Sequence, residues 1–266
     1  MSRTEGHLLP GFLASEVANA PADRAAFHVI PAPMEISVSY GGGAAKGPEA
    51  ILNASQQLEA DDRGLAPGRC GIHTQSVVTP ASGTAEAWLE AVEERLAQCF
   101  AAGAAPLLLG GEHTLTLAAA RVLRRLGRRV GFIQFDAHAD LRDRYEGSTL
   151  SHACVMRRIL DLDFPILQLG TRAYSQEERA LRRRLRIPAF DADDLDRDLS
   201  MLQLFSEDFP REVYVTFDVD GLDPSLMPAT GTPVAGGLTG REAMRLLDLV
   251  AATRHIIGAD VVELAP

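Results

Sequence analysis

The chain has 266 residues, enough for one large α/β domain or two small ones, and its hydrophobic content of 46% is ordinary for a soluble globular protein. Its formal net charge of −10 argues against nucleic acid or an anionic membrane as the main partner, because both attract clustered cations. A small cationic substrate suits this charge better.

Localisation can be predicted from the cysteines and the N-terminus. The three cysteines are scattered and lack Cys-x-x-Cys spacing, which predicts reduced thiols and neither a disulfide framework nor a thiolate zinc site. The apolar stretch at residues 8–14 is interrupted by Pro10 and has no basic flank, and the sequence contains no run of about 18 apolar residues. We therefore expect a cytoplasmic protein without a membrane span.

Strand-like runs alternate with helical patterns along the chain. Near-continuous apolar or β-branched runs predict strands at residues 26–31, 72–78, 106–109, 130–135, 164–169, 213–217 and 255–262. Apolar residues three and four apart predict helices at residues 85–102, 114–126, 152–160, 176–185 and 241–252. This alternation predicts one α/β domain with a mainly parallel sheet that helices cover on both faces.

Ionisable residues directly follow two of the predicted strands. They lie two positions apart, as Asp136, His138 and Asp140 after one strand and as Asp218 and Asp220 after the other. Residues two apart in an extended chain project to the same side, so these side chains converge. Parallel strands present their functional residues at their C-terminal ends, and three ionisable groups at this spacing are costly to bury unless they bind something.

A third strand-like run is followed by His113, and the combined residues form a candidate site for two metal ions. The four carboxylates and two imidazoles of this set belong to His113, Asp136, His138, Asp140, Asp218 and Asp220. An oxygen-rich set with one nitrogen for each ion fits manganese better than zinc. Two such ions about 3.5 to 4 Å apart can share a water molecule and lower its pKa toward neutrality. With a bridging hydroxide the cluster is about one unit negative, which favours a guanidinium.

Each motif by itself also has an ordinary structural interpretation. His113 could form hydrogen bonds at the start of a helix, and Asp218 and Asp220 could be turn and cap residues before Gly221 and Pro224. The metal hypothesis depends on all three motifs occurring at predicted strand ends.

With these motifs the chain resembles the ureohydrolase family of arginases and agmatinases. The likeness lies in residues 110–113, residues 136–140 and the long run from 218 to 239, and it extends from about Pro31 to the C-terminus. It implies a three-layer α/β/α sandwich around a parallel sheet, and hydrolysis of a guanidino group to urea and an amine by a hydroxide that bridges two Mn²⁺ ions. In this resemblance one ion is held by His113, Asp136, Asp140 and Asp218, and the other by Asp136, His138, Asp218 and Asp220.

The resemblance also implies residues that act on the substrate. His152 matches the family's loop histidine, which shuttles protons and helps the leaving amine to depart. Glu263 matches the glutamate that pairs with the guanidinium and orients its carbon. Together with Asp140, these two are the predicted catalytic residues.

The loops favour agmatine as the substrate. Residues 141–151 resemble the loop of bacterial and archaeal agmatinases, and residues 173–175 lack the acidic residues that partner the α-ammonium in arginases. We therefore predict hydrolysis of agmatine to putrescine and urea, a step of polyamine biosynthesis, with Asp143 or Glu146 meeting the distal ammonium. The resemblance also predicts a homo-oligomer, either a trimer or a hexamer.

Several alternatives stay open at this point. Guanidinobutyrate, aminopropylagmatine or arginine could replace agmatine, and a non-catalytic paralogue could keep the fold for binding. A binuclear phosphoesterase is less favoured, since no Gly-Asn-His-Glu-type segment accompanies the aspartates. Family chains continue past the position of Glu263 into a closing helix, whereas this sequence ends at Pro266, so we expect a single domain over residues 1–266 that lacks this helix.

Overall fold

The computed structural model describes residues 9–61, 64–195 and 204–266. Eight strands in these ranges form one sheet, namely β1 Phe27–Ala32, β2 Ile72–Thr74, β3 Ala105–Gly110, β4 Val130–Phe135, β5 Ile166–Leu169, β6 Ala189–Phe190, β7 Glu212–Asp218 and β8 His255–Val262. Their order is β2-β1-β3-β8-β7-β4-β5-β6, and every pairing between these strands is parallel. The prediction of a parallel α/β sheet is confirmed.

Helices connect the strands, as right-handed crossovers between parallel strands require. The described ranges contain α1 Gly47–Ala54, α2 Ala85–Ala101, α3 Thr116–Arg125, α4 Val155–Asp161, α5 Gln176–Leu185, α6 Ala192–Leu195 and α7 Gly240–Thr253. Ser175 before α5 and Thr239 before α7 each form a capping box with the glutamate three residues later. These reciprocal bonds fix where both helices begin.

Alternation along the central strands divides the core between the two faces of the sheet. On β4, Phe132 belongs to an apolar cluster that includes buried residues of α2, α3 and α4. The next residue, Ile133, belongs to a second cluster that includes Leu246 and Val250 of α7. Successive strand residues point to opposite faces, so helices cover both sides. The predicted three-layer sandwich is the observed architecture.

The predicted boundaries differ from the structure where periodicity is weak. The predicted strand at 72–78 ends at Thr74, although Val78 N still donates to Pro31 O at 2.8 Å. The predictions missed the two-residue strand β6 and the short helix α6, because segments of this length carry little periodic signal. The predicted helices at 114–126 and 152–160 begin with 3₁₀ turns, at His113–Leu115 and His152–Cys154.

The strand order determines where the site lies. Strands β3, β8, β7 and β4 are neighbours, so their C-terminal ends adjoin at one edge of the sheet. Every predicted metal ligand, as well as Glu263, lies in the segments that follow these strands or, for Asp218, at the last residue of β7. Within the described ranges, no helix is long and apolar enough to span a bilayer. The assignment of residues 1–266 to a single domain without a closing helix stays a prediction.

Candidate metal centre and active site

His113 is the centre of the first group of converging side chains. It follows the turn after β3, and its side chain is fully buried. Its Nδ1 atom lies 3.1 Å from Asp136 Oδ2, 3.0 Å from Asp140 Oδ2 and 3.4 Å from Asp218 Oδ2. Among the described residues this nitrogen has no hydrogen-bond partner of acceptable geometry. A buried nitrogen facing three carboxylate oxygens is the arrangement that a cation between them would satisfy.

The second group contains His138 and shares Asp136 with the first. His138 Nδ1 lies 3.0 Å from Asp220 Oδ2 and 3.6 Å from Asp136 Oδ1. The two oxygens of Asp136 therefore face different imidazoles, with Oδ2 toward His113 and Oδ1 toward His138. Asp136 occupies the position between the two groups.

Local folding holds these side chains in place. The backbone amide of His138 donates to Asp136 Oδ1 at 2.6 Å, and the buried Gln134 amide donates to Asp136 Oδ2 at 2.5 Å. Asp220 N donates to Asp218 Oδ1 at 2.9 Å, and Ala137 N donates to Asp220 Oδ1 at 3.0 Å. Because backbone amides fix the carboxylates, little side-chain freedom is lost when a ligand binds.

Backbone conformation also brings the two strand ends together. Asp140 has a φ of 51°, in the left-handed region, so the chain turns sharply at this ligand. After β7, a Cβ atom at Gly221 would lie 2.8 Å from Asp136 N, a distance that real Cβ atoms do not show. The absence of a side chain at Gly221 allows the segment after β7 to approach the segment after β4.

A hydroxyl and a buried carboxylate orient the His113 ring. His113 Nε2 lies 2.9 Å from Thr216 Oγ1, and the Thr216 hydroxyl donates to Asp260 Oδ1 at 2.6 Å. Thr216 therefore accepts from Nε2–H, so that in the neutral imidazole, the form that binds metals, the Nδ1 lone pair faces the carboxylates. The sequence analysis missed both residues, although Thr216 precedes Asp218 by two positions and so shares its side of β7.

The buried carboxylates create a demand for positive charge. Burial lowers the pKa of His113, but the nearby carboxylates of Asp136, Asp140 and Asp218 outweigh it and raise that pKa well above its usual value. Burial also lowers the pKa of His138, but the carboxylates of Asp136 and Asp220 outweigh it and raise that pKa to about 12. Burial and then repulsion from Asp136 raise the pKa of Asp140 to about 7. Divalent cations would relieve this shortage of positive charge.

The donor set fits two neighbouring divalent ions. Ligand atoms lie within 4.8 Å of one another in each of two groups, one formed by His113, Asp136 and Asp140 and the other by Asp136, His138 and Asp220. Each group offers one imidazole nitrogen and several carboxylate oxygens, which suits a hard or borderline divalent cation. These groups contain five of the six residues that the sequence predicted as ligands, and the sixth, Asp218, has its Oδ2 atom 3.4 Å from His113 Nδ1.

Glu263 lies directly beside the first group. Its backbone has a φ of 63°, its amide donates to Gly111 O at 2.7 Å, and its Oε1 atom accepts from His113 N at 2.8 Å. Burial raises the pKa of Glu263 to about 8. The predicted guanidinium partner is therefore fixed against the segment that bears the predicted ligand His113.

His152 lies at the start of a 3₁₀ turn in the loop wall. Its Nδ1 lies 3.1 Å from Ser37 Oγ, its Nε2 lies 2.7 Å from Ser39 Oγ, and its ring packs edge-on against Tyr145 at 5.7 Å. Burial lowers the pKa of His152 to about 4, so its imidazole is neutral at pH 7. The sequence analysis did not identify Ser37 or Ser39 as partners, because they are more than a hundred residues away in the chain.

A cavity of about 410 Å³ opens above the two groups. His138 and Asp140 lie at its base, and its walls include Ser39, Arg142, Tyr145, His152, Tyr174, Glu178 and Thr232. The Arg142 guanidinium stacks over the Tyr145 ring at 5.4 Å, and its Nε lies 4.0 Å from Glu178 Oε2. Carboxylates and tyrosine rings in one cavity favour a cationic ligand.

The two acidic residues predicted to bind the distal ammonium lie apart from this base. Asp143 is 72% exposed, and its Oδ1 atom lies 2.8 Å from Arg158 Nη2. That hydrogen bond lowers the pKa of Asp143. Glu146 is exposed in the turn between Tyr145 and Ser148, with a φ of 47°. A contact of either carboxylate with the substrate stays a prediction.

Comparisons with known proteins agree with this geometry. The model of the Arginase family matches residues 25–266. An N(1)-aminopropylagmatine ureohydrolase from Synechocystis sp. is 38% identical, with coverage of 96% of this chain and 86% of the relative. An agmatinase from Bacillus anthracis is 34% identical, with coverage of 88% and 81%.

A solved structure has the same fold. The agmatine ureohydrolase of Thermoplasma volcanium superposes with a TM-score of 0.83 at 28% identity, over 95% of this chain and 86% of that one. A family match over nearly the whole chain, together with relatives above 30% identity, shows that this protein belongs to the Arginase family and is a ureohydrolase.

Proposed function

We propose that this protein hydrolyses agmatine to putrescine and urea at a pair of manganese ions. The observation that carries the proposal is the pair of buried ligand groups that share Asp136 at the base of a cavity with acidic and aromatic walls. Four carboxylates with one imidazole for each ion favour manganese over zinc. The cationic guanidino group and distal ammonium of agmatine match the negative charge of the cavity base.

The ligand residues hold the ions, and other residues act on the substrate. When bound, two divalent ions supply a water molecule of lowered pKa as the nucleophile. Glu263 orients the guanidinium by a charge-assisted hydrogen bond, and its own carboxylate is fixed by the His113 amide. His152 lies on the cavity wall and passes a proton toward the leaving amine.

A second candidate substrate is N(1)-aminopropylagmatine. A relative of this name is 38% identical over 96% of the chain, which favours it as strongly as the agmatinases favour agmatine. Both compounds present the same guanidinobutyl end to the metal groups and differ only at the far amine.

The decisive experiment compares kcat/KM for urea release across agmatine, N(1)-aminopropylagmatine, guanidinobutyrate and arginine, with Mn²⁺ added. We expect the two agmatine compounds to exceed arginine by at least about 100-fold, because an unpaired α-carboxylate and α-ammonium are costly to bury. The better of the two identifies the substrate. No urea from any of the four compounds would instead favour the non-catalytic paralogue.

Three further features of the proposal come from the family likeness. They are a homo-oligomeric assembly of three or six copies, a cytoplasmic location and a place in polyamine biosynthesis. Mass photometry of the purified chain tests the first, since a monomer of 28.6 kDa is well separated from a trimer.

A further inference from the structure

A chain of hydrogen bonds links His152 to a buried carboxylate that the proposed mechanism does not use. Glu112 is 1% exposed and follows the turn after β3. Its Oε2 atom accepts from the Ser37 hydroxyl at 2.6 Å, and its Oε1 atom accepts from the backbone amides of Ile36 and Ser37. Glu112 thus fixes the segment around residue 37 with one oxygen and the Ser37 hydroxyl with the other.

The direction of each hydrogen bond follows from the groups that take part. A carboxylate only accepts, so the Ser37 proton points toward Glu112. The Ser37 oxygen is then an acceptor toward His152, and it lies 3.1 Å from Nδ1 and 3.3 Å from the His152 amide. Nδ1 must therefore donate. In a neutral imidazole Nε2 is then the acceptor, and it lies 2.7 Å from Ser39 Oγ, which can donate to it.

We propose that Glu112 is a positioning residue that acts through Ser37 to keep the His152 proton on Nδ1, which leaves the Nε2 lone pair on the side of Ser39 and the cavity. Glu112 does not touch the substrate in this arrangement. It selects which ring nitrogen can take and deliver a proton, as a carboxylate does for the histidine of a serine-protease triad. The inference rests on the role proposed above for His152.

The neighbouring contacts are consistent with this assignment. Ser151 Oγ is the other hydroxyl near Nδ1, and at 3.5 Å it is farther than Ser37. Tyr145 packs against the ring by its edge, and the Ser39 hydroxyl also lies 3.3 Å from the Tyr145 oxygen. A hydroxyl donates one proton, and the assignment directs that of Ser39 along the shorter contact of 2.7 Å to Nε2. The ring is thus held on both nitrogens by the segment that Glu112 fixes.

The test measures the tautomer directly. Solid-state ¹⁵N NMR of the full chain labelled with ¹⁵N-histidine distinguishes protonated from unprotonated ring nitrogens, and the spectrum of His152→Asn assigns the His152 signals. We expect the proton on Nδ1 in the wild type at neutral pH. In Glu112→Gln we expect it on Nε2, because an amide NH₂ in place of Oε2 donates to Ser37 and frees its hydroxyl to donate to Nδ1. A wild-type proton on Nε2, or no change in Glu112→Gln, overturns the proposal.

Kinetics and two serine variants complete the test. Glu112→Gln should lower kcat roughly 100-fold with KM within about threefold, as expected when acid–base catalysis is lost and binding is kept. Ser37→Thr retains a hydroxyl and should keep the wild-type tautomer and most of kcat, whereas Ser37→Ala should lose both. Ser39→Ala is the matched control on the same loop, and in this variant the His152 proton should stay on Nδ1.

Two outcomes separate this inference from others. If Ser37→Ala lowers kcat while the proton stays on Nδ1, the role of Glu112 and Ser37 is merely structural, and the proposal fails. Bound metal is measured in each variant, because a change at Glu112 could displace the neighbouring His113 and lower activity through loss of metal. If the wild type releases no urea from any guanidino compound, the proposed function fails, while the ¹⁵N spectra still decide the tautomer.

Discussion

The two halves of the site are held in different ways. The metal half lies at the ends of β3, β4 and β7, its six predicted ligands are mostly buried, and backbone amides fix its carboxylates. The loop half is formed by the segments around residues 37–39 and 142–152, where hydroxyls and rings from distant parts of the chain contact one another. In the proposed function a rigid sheet edge would hold the ions, while adaptable loops would contact the substrate.

A histidine in each half is linked through a hydroxyl to a buried carboxylate. In the metal half the link runs from His113 through Thr216 to Asp260. The link in the loop half runs from His152 through Ser37 to Glu112. The first joins neighbouring strands and orients a ligand, whereas the second joins a loop to the sheet edge. We therefore expect changes in the metal half to alter metal content, and changes in the loop half to alter kcat or KM without altering metal content.

The largest expected effect is that of Asp136→Asn. This carboxylate faces both imidazoles, so its loss disrupts both ligand groups at once. Urea release should fall by more than about 1000-fold, beyond the roughly 10- to 100-fold that a residue outside the ligand set contributes to metal affinity or activity. Bound metal, measured by mass spectrometry, should fall with it.

Asp161→Asn is the matched control, because this aspartate forms exposed ion pairs with Arg157 and Arg158 away from the cavity base. Its metal content and turnover should match the wild type. An Asp136→Asn protein that retains both ions would show that the ligand groups do not bind metal through this carboxylate.

The next largest effect is expected for His152→Asn. Removal of the proton-transferring imidazole should lower kcat by about 100-fold or more, since general acid–base groups contribute that much. Bound metal should be unchanged, because His152 contacts serines and a tyrosine in the loops.

His255→Asn provides the control for the chemistry of the substitution. His255 is exposed at the opposite end of β8 and should tolerate the change. Loss of metal from the His152 variant would break the separation of the two halves, because it would make the loop wall part of the metal half.

A smaller effect is expected for Thr216→Val, which keeps the side-chain volume and removes the hydroxyl between His113 and Asp260. Metal affinity should weaken about 10- to 100-fold, the effect of losing a hydrogen bond that orients a ligand. A titration of metal-free protein with Mn²⁺ measures it, and Thr216→Ser, which keeps the hydroxyl, should bind nearly as the wild type does. Equal affinities of the two variants would show that the His113 orientation does not depend on Thr216.

The smallest effect is expected for Asp143→Ala combined with Glu146→Ala. If these carboxylates meet the distal ammonium, KM for agmatine should rise about two- to fivefold with kcat unchanged, since exposed ion pairs contribute little. Asp161→Ala, which removes another exposed partner of Arg158, should leave KM unchanged. An unchanged KM in the double variant would remove both residues from the substrate site.

Sequence patterns predicted the metal half better than the loop half. Alternation and strand length indicated where β4 and β7 end, so residues such as Asp136 and Asp218 could be assigned to one edge. The partners of His152 gave no such signal, because Ser37 lies 115 residues away and adopts no periodic pattern. Glu112 lay inside a predicted motif, but its contact with Ser37 depends on how a loop folds back over the sheet edge.

The sequence by itself determined the fold class, the convergence of the six predicted ligands and the family, because these depend on the local periodicity of strands and on motifs in a fixed order. The tertiary structure decided which oxygen of Asp136 faces which imidazole, how Thr216 and Asp260 orient His113, and that Glu112 reaches His152 through Ser37. Such contacts join residues far apart in the chain, and their geometry is set by strand order and loop packing, which local sequence does not encode.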